Sequence, residues 1–207
     1  MTWRRGRGVL AALGLAAAVL AVASAARAEP PGDAARGRAT FTAKECARCH
    51  LPAGQSGVGP ALEQLRRPQG AFLLAGRLWN HVPAMFTILK IENLQWPQIG
   101  ATEMADLMTF LEADPARDPA PDLSKGQIML LRKGCLKCHS LRGEGARLAP
   151  DLSAKRASYD SAMAWAARMW QHTPAMAAKA MELGVLYPRF AEDEMLNLVA
   201  FLRSSAK

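Results

Sequence analysis

The residues able to do chemistry gather in two short motifs, Cys46-Ala47-Arg48-Cys49-His50 and Cys135-Leu136-Lys137-Cys138-His139. Together these hold all four cysteines and two of the four histidines of the chain. Cysteines spaced in this way suit three chemistries. A disulfide accounts for the cysteines but not for the histidine that follows the second one both times. A tetrahedral zinc site would draw thiolates from both pairs, and it also leaves the histidines without a role. Covalent haem attachment uses all three residues. The two sulfurs add across the vinyl groups, and the adjacent histidine is placed beneath the iron as an axial ligand. The motifs therefore point to two haem c groups, one held by Cys46, Cys49 and His50 and the other by Cys135, Cys138 and His139.

The ligand on the opposite side of each iron has to come from elsewhere, and an internal repeat narrows the search. A shift of 91 positions lays residues 79–111 over 170–202 without a gap. Trp79, His81, Pro83, Ala84 and Met85 then meet Trp170, His172, Pro174, Ala175 and Met176. The cysteine motifs are 89 apart, so the second copy has two extra residues between its motif and Trp170. Each copy offers a histidine and a methionine four residues apart: His81 or Met85, and His172 or Met176. The choice matters, because His/Met ligation raises the reduction potential and axial ligand identity spans about 0.8 V. Met104, Met108, Met163, Met169 and Met195 read as helical packing, as does Met181, which lies opposite Lys90. Trp79 and Trp170 are expected to pack on the haem. Arg66, Arg67, Arg77 and Arg147 could pair with propionates, but each is read as an ordinary solvated charge.

Helices have to position these groups, since no stretch alternates as a strand would. Asp33 is placed as the cap of a helix through Phe41 that leads to Cys46. Residues 69–81 suggest a second helix and residues 86–95 a short extra one, with Pro83 and Pro174 breaking the helix just before each methionine. Met104, Leu107, Met108 and Leu111 recur at helical spacing, as do Met195, Leu198, Val199 and Leu202, marking a last amphipathic helix in each copy. An all-α unit this small has a thin core, which a haem would fill. Between the copies, residues 114–122 carry three prolines and no apolar periodicity. They read as an extended, semi-rigid linker.

The first residues read as a signal peptide, 1–28: Arg4, Arg5 and Arg7, an apolar run from Val9 to Ala23, and Ala26-Arg27-Ala28 as the cleavage pattern. The run is short for a membrane span of roughly 20 residues, so a signal anchor is the lesser reading. Loss of the four arginines of this segment lowers the net charge from +8 to +4, and four haem propionates would cancel about that much. The basic balance therefore argues for no nucleic-acid partner. Export implies a periplasmic location, with no stable membrane span after cleavage.

The motifs, the turns Gly59-Pro60-Ala61-Leu62 and Ala149-Pro150-Asp151-Leu152, and the acid-capped last helices resemble the class I cytochromes c. The likeness covers residues 33–112 and 123–204. It implies an all-α chain of two tandem cytochrome c domains, 29–113 and 123–207, joined by the linker 114–122. The family's ligand loop, a helix followed by Asn-Gly and a segment ending in Ala-Met, overlays Leu78 to Met85. The resemblance thus favours Met85 and Met176 as distal ligands, with His81 and His172 as the alternative. It implies an electron carrier between redox proteins, either free or serving a membrane oxidoreductase complex, with both irons six-coordinate. The rival expectation is an enzyme, such as a di-haem peroxidase or a thiosulfate-oxidising cytochrome. Known di-haem peroxidases are longer chains, and the thiosulfate chemistry relies on a cysteine ligand that this sequence does not have to spare.

Overall fold

A computed structural model describes residues 32–154 and 156–206, and the expected signal peptide lies outside them. Residues 31–207 form one compact unit. Its described residues are mostly helical, with seven α-helices and four two-residue strands.

The helices repeat at the offsets seen in the sequence. In the first half, α1 is Ala34–Ala43, α2 is Leu62–Leu65, α3 is Ala71–Ile91 and α4 is Ala101–Phe110. In the second half, α5 is Leu123–Arg132, α6 is Ala162–Glu182 and α7 is Glu194–Ser205. The limits of α1 and α5 differ by 89 positions and those of α3 and α6 by 91, so the two extra residues fall between them. Asp33 caps α1 by accepting from the Arg36 amide at 2.7 Å. Asp122 does the same for α5 through Ser124 and Lys125.

Within each half the first and last helices cross closely, α1 on α4 and α5 on α7. Glycine sets the distance. A Cβ on Gly37 would run into the Asp106 carbonyl, and one on Gly126 into the Asn197 carbonyl. The buried side chains at those positions then tie the crossing. Asp106 accepts from the Asp33 amide at 2.6 Å, and Asn197 accepts from the Asp122 amide at 2.8 Å.

Two long helices join the halves. α3 packs on α6, and α6 also on α4, so one apolar core runs through both copies from Phe41 to Leu202. The segment between the copies is tied down along the first half. Ala113–Asp114 (β2) pairs in parallel with Gln69–Gly70 (β1), Pro115–Arg117 form a 3-10 turn, and Asp118 accepts from the Phe72 amide at the head of α3 at 3.0 Å. In the second half a small antiparallel pair, Ser140–Leu141 (β3) with Glu144–Gly145 (β4), follows the cysteine motif.

The helices expected over 69–81 and 86–95 are one helix. α3 and α6 run on through Pro83 and Pro174, so the prolines do not break them before the methionines. A proline inside a helix frees the carbonyl four residues earlier, at a typical cost of about 3 kcal/mol. Here those carbonyls belong to Trp79 and Trp170. Each has found a donor in the other half: the Tyr187 hydroxyl for Trp79 at 3.2 Å and the Trp96 indole N–H for Trp170 at 3.1 Å.

Candidate functional site

Each cysteine motif follows the first helix of its half through a left-handed residue, Glu45 at φ 61° and Gly134 at φ 72°. The next three residues make a 3-10 turn, and the histidine amide donates back to the carbonyl of the first cysteine at 3.0 Å in both halves. The two thiols and the imidazole therefore emerge from one tight turn. All four cysteines are half-buried. Burial pushes Cys46 and Cys135 up to about 11. The two pairs do not converge, and among the described residues no cluster of three or more His, Cys, Asp and Glu is grouped for a metal ion.

The histidines are oriented identically. His50 Nδ1 lies 2.9 Å from the Pro60 carbonyl, and His139 Nδ1 lies 2.8 Å from the Pro150 carbonyl. A carbonyl only accepts, so Nδ1 carries the proton and Nε2 keeps its lone pair for a ligand bond. The proline turn is itself held on the motif, because Gly59 N donates to the Cys49 carbonyl at 3.0 Å and Ala149 N to the Cys138 carbonyl at 2.9 Å. A Cβ on Gly59 would strike the His50 ring, which explains the glycine there. Two residues before each proline stand Val58 and Leu148, 72% and 67% exposed. Equivalent apolar side chains beside both histidines are what a large apolar ring would cover, so the residues present fit a haem.

Across from these rings stand the histidines of the long helices. His50 and His81 have centroids 5.6 Å apart with 57° between planes, and His139 and His172 have centroids 6.2 Å apart at 63°. A metal bonded to two imidazole nitrogens at about 2 Å each leaves ring centroids roughly 6 Å apart. Burial, and the facing histidine after it, lower the pKa of His81 and His172. Met85 and Met176 lie one turn further along the same helices, half-buried against the core.

The tryptophans expected against a haem sit at the junction between halves. Trp79 Nε1 donates to the Pro188 carbonyl at 2.7 Å, and Trp170 Nε1 donates to the Pro97 carbonyl at 2.8 Å. Of the arginines, Arg66 donates to the Phe110 carbonyl and to Glu112, and Arg77 donates to the Gln69 side chain. Residues that sequence reasoning passed over are Trp96, Tyr187 and Gln171. The repeat alone could have marked Trp96 and Tyr187, which are aromatic and 91 apart.

Residues 123–206 match the profile of the cytochrome c family. The match supports a haem-binding electron-transfer protein, with haem c as the implied cofactor. No curated protein is matched by the chain. No helix among the described residues is long and apolar enough to cross a membrane.

Proposed function

We propose that the chain is an exported, periplasmic di-haem cytochrome that passes electrons between redox proteins, with one haem c bound in each half. The observation that carries the second haem is the duplicated histidine geometry. The first half lies outside the matched span, yet it repeats the Nδ1–proline carbonyl bond and the facing histidine. Cys46, Cys49, Cys135 and Cys138 would anchor the groups, and His50 and His139 would be the proximal ligands. When bound, the haem supplies a one-electron couple.

The chain's own part is to hold and tune. Donation from Nδ1–H to a proline carbonyl fixes the ring orientation of His50 and His139 and raises the basicity of the ligating nitrogen. For the distal positions the ring pairing favours His81 and His172 over Met85 and Met176, which then serve as packing one turn away. His50 with His81 and His139 with His172 would hold the two groups on this reading, leaving no position for a substrate. This supports a carrier, free or within an oxidoreductase complex, over a peroxidase. Partners would meet the protein at small, transient interfaces.

The mass of the mature chain and its pyridine haemochrome content are expected to correspond to two haems. Loss of only one on replacing all four cysteines would refute the duplicated site. For ligation, His81→Ala and His172→Ala should each convert one haem to a high-spin, carbon-monoxide-binding form. Met85→Ala and Met176→Ala should keep both low-spin. The reverse pattern would establish the methionines as ligands.

A further inference from the structure

The repeated Trp-x-His-x-Pro block of each half is gripped by a loop of the other half. Tyr187 stacks on Trp79 with centroids 5.3 Å apart, and Trp96 packs at a tilt against Trp170 at 4.7 Å. The tryptophan N–H groups return the contact by donating to Pro188 and Pro97. The next residue of each block joins in. Asn80 donates to the Phe190 carbonyl at 2.6 Å and accepts from its amide at 2.9 Å, while Gln171 donates to the Ile99 carbonyl at 3.1 Å. Each of these pairs maps onto its counterpart when both residues are shifted by 91 positions.

The prolines complete the exchange. Pro83 and Pro174 have no N–H, so the Trp79 and Trp170 carbonyls are open to the Tyr187 hydroxyl and the Trp96 indole. A buried carbonyl left without a donor would cost stability, so each proline makes its helix dependent on the opposite loop. The gripped residues, 79–80 and 170–171, immediately precede His81 and His172. The backbone that aims each distal ring is therefore fixed by contacts from the other half of the molecule.

We propose that each half positions the distal ligand of the other half's haem, with Tyr187 acting through Trp79 on His81 and Trp96 acting through Trp170 on His172. This rests on the ligand assignment made above. Tyr187 and Trp96 are positioning residues, since they touch the ligand helix and not the ligand.

The test reads potential and electron paramagnetic resonance on the full-length two-haem protein, with the two signals assigned through His81→Ala and His172→Ala. Tyr187→Leu should shift the midpoint and ligand-field signature of the His81 haem and leave the His172 haem in place. Trp96→Leu should do the converse. The expected size is up to about a tenfold change in the oxidised-to-reduced ratio at fixed applied potential, the scale of one aromatic pair. Tyr187→Phe keeps the ring and removes only the donor to the freed carbonyl, and Trp96→Phe removes the donor while keeping a smaller ring. They should move the same opposite haem by less, and they carry the test if the leucine variants do not accumulate. Shifts confined to the variant's own half, equal shifts at both haems, or no shift would overturn the proposal. If His81→Ala and His172→Ala change neither signal, the ligand assignment falls first and takes this proposal with it, which is a different result from assigned signals that fail to cross over.

Discussion

Asp106 and Asn197 occupy equivalent places and show what a charge adds. Both accept the amide of the residue that caps the first helix, but only Asp106 also receives the Arg36 guanidinium, through Nε at 2.8 Å. That hydrogen bond leads the causes that hold the Asp106 carboxyl below its ordinary 3.8. The folded chain then binds fewer protons there than the unfolded chain. Its contribution is fully present above the unfolded value and is lost as pH falls through the lower folded one. Arg36 is largely exposed and solvent screens the pair. Asp106→Asn, which copies the second half, should therefore cost no more than about 1 kcal/mol at neutral pH. It should also flatten the acid limb of urea midpoint against pH. An unchanged acid limb would mean that other carboxylates, such as Asp151 with its Ser140, Gly143 and Ser153 donors, set the acid sensitivity.

Helices are spaced by what they lack. Gly37 and Gly126 let α1 and α5 touch the backbones of α4 and α7, so an added methyl meets a carbonyl and the crossing has to open. Gly126→Ala should lower stability by about 1–3 kcal/mol despite its better helix propensity, seen as a lower melting temperature of the haem-loaded protein. In α3 the missing group is the Pro83 N–H. Tyr187→Phe should cost about 0.5–1.5 kcal/mol by removing the donor to the Trp79 carbonyl. In a Pro83→Ala background the N–H restored at position 83 satisfies that carbonyl instead. A double-mutant cycle of urea midpoints should then show most of the Tyr187→Phe cost gone. Additive costs would mean that the hydroxyl and the proline act separately.

The whole chain behaves as two copies sharing one core. Trp79 and Trp170 are buried in the junction, and the bonds that fix them span 109 and 73 positions of sequence. Neither half buries its long helix without the other. Unfolding of the holo-protein in urea should accordingly be one transition, with Soret absorbance, far-ultraviolet circular dichroism and tryptophan fluorescence coinciding. Two separated transitions, one per haem, would show that the halves are energetically independent. The same junction fixes the relation between the two histidine pairs, as the proposed passage of electrons between two centres would require.

The sequence by itself determined the candidate ligands and the local helices. Cys-x-x-Cys-His has one economical use in a chain read as exported, the 91-residue repeat assigned the same histidines and methionines to both copies, and apolar spacing with Asp33 as a cap marked where helices lie. Those signals are local, carried by neighbours within a few turns. Tertiary structure decided the meaning of the prolines and tryptophans. Pro83 reads as a helix breaker until its helix is seen to continue with the opposite half supplying a donor to the carbonyl it frees. Trp79 reads as haem packing until Pro188 and Tyr187 are found against it. The facing of His50 by His81 depends on the same docking, because a ring's partner across a gap is fixed by how α3 sits in the shared core and not by its distance along the chain.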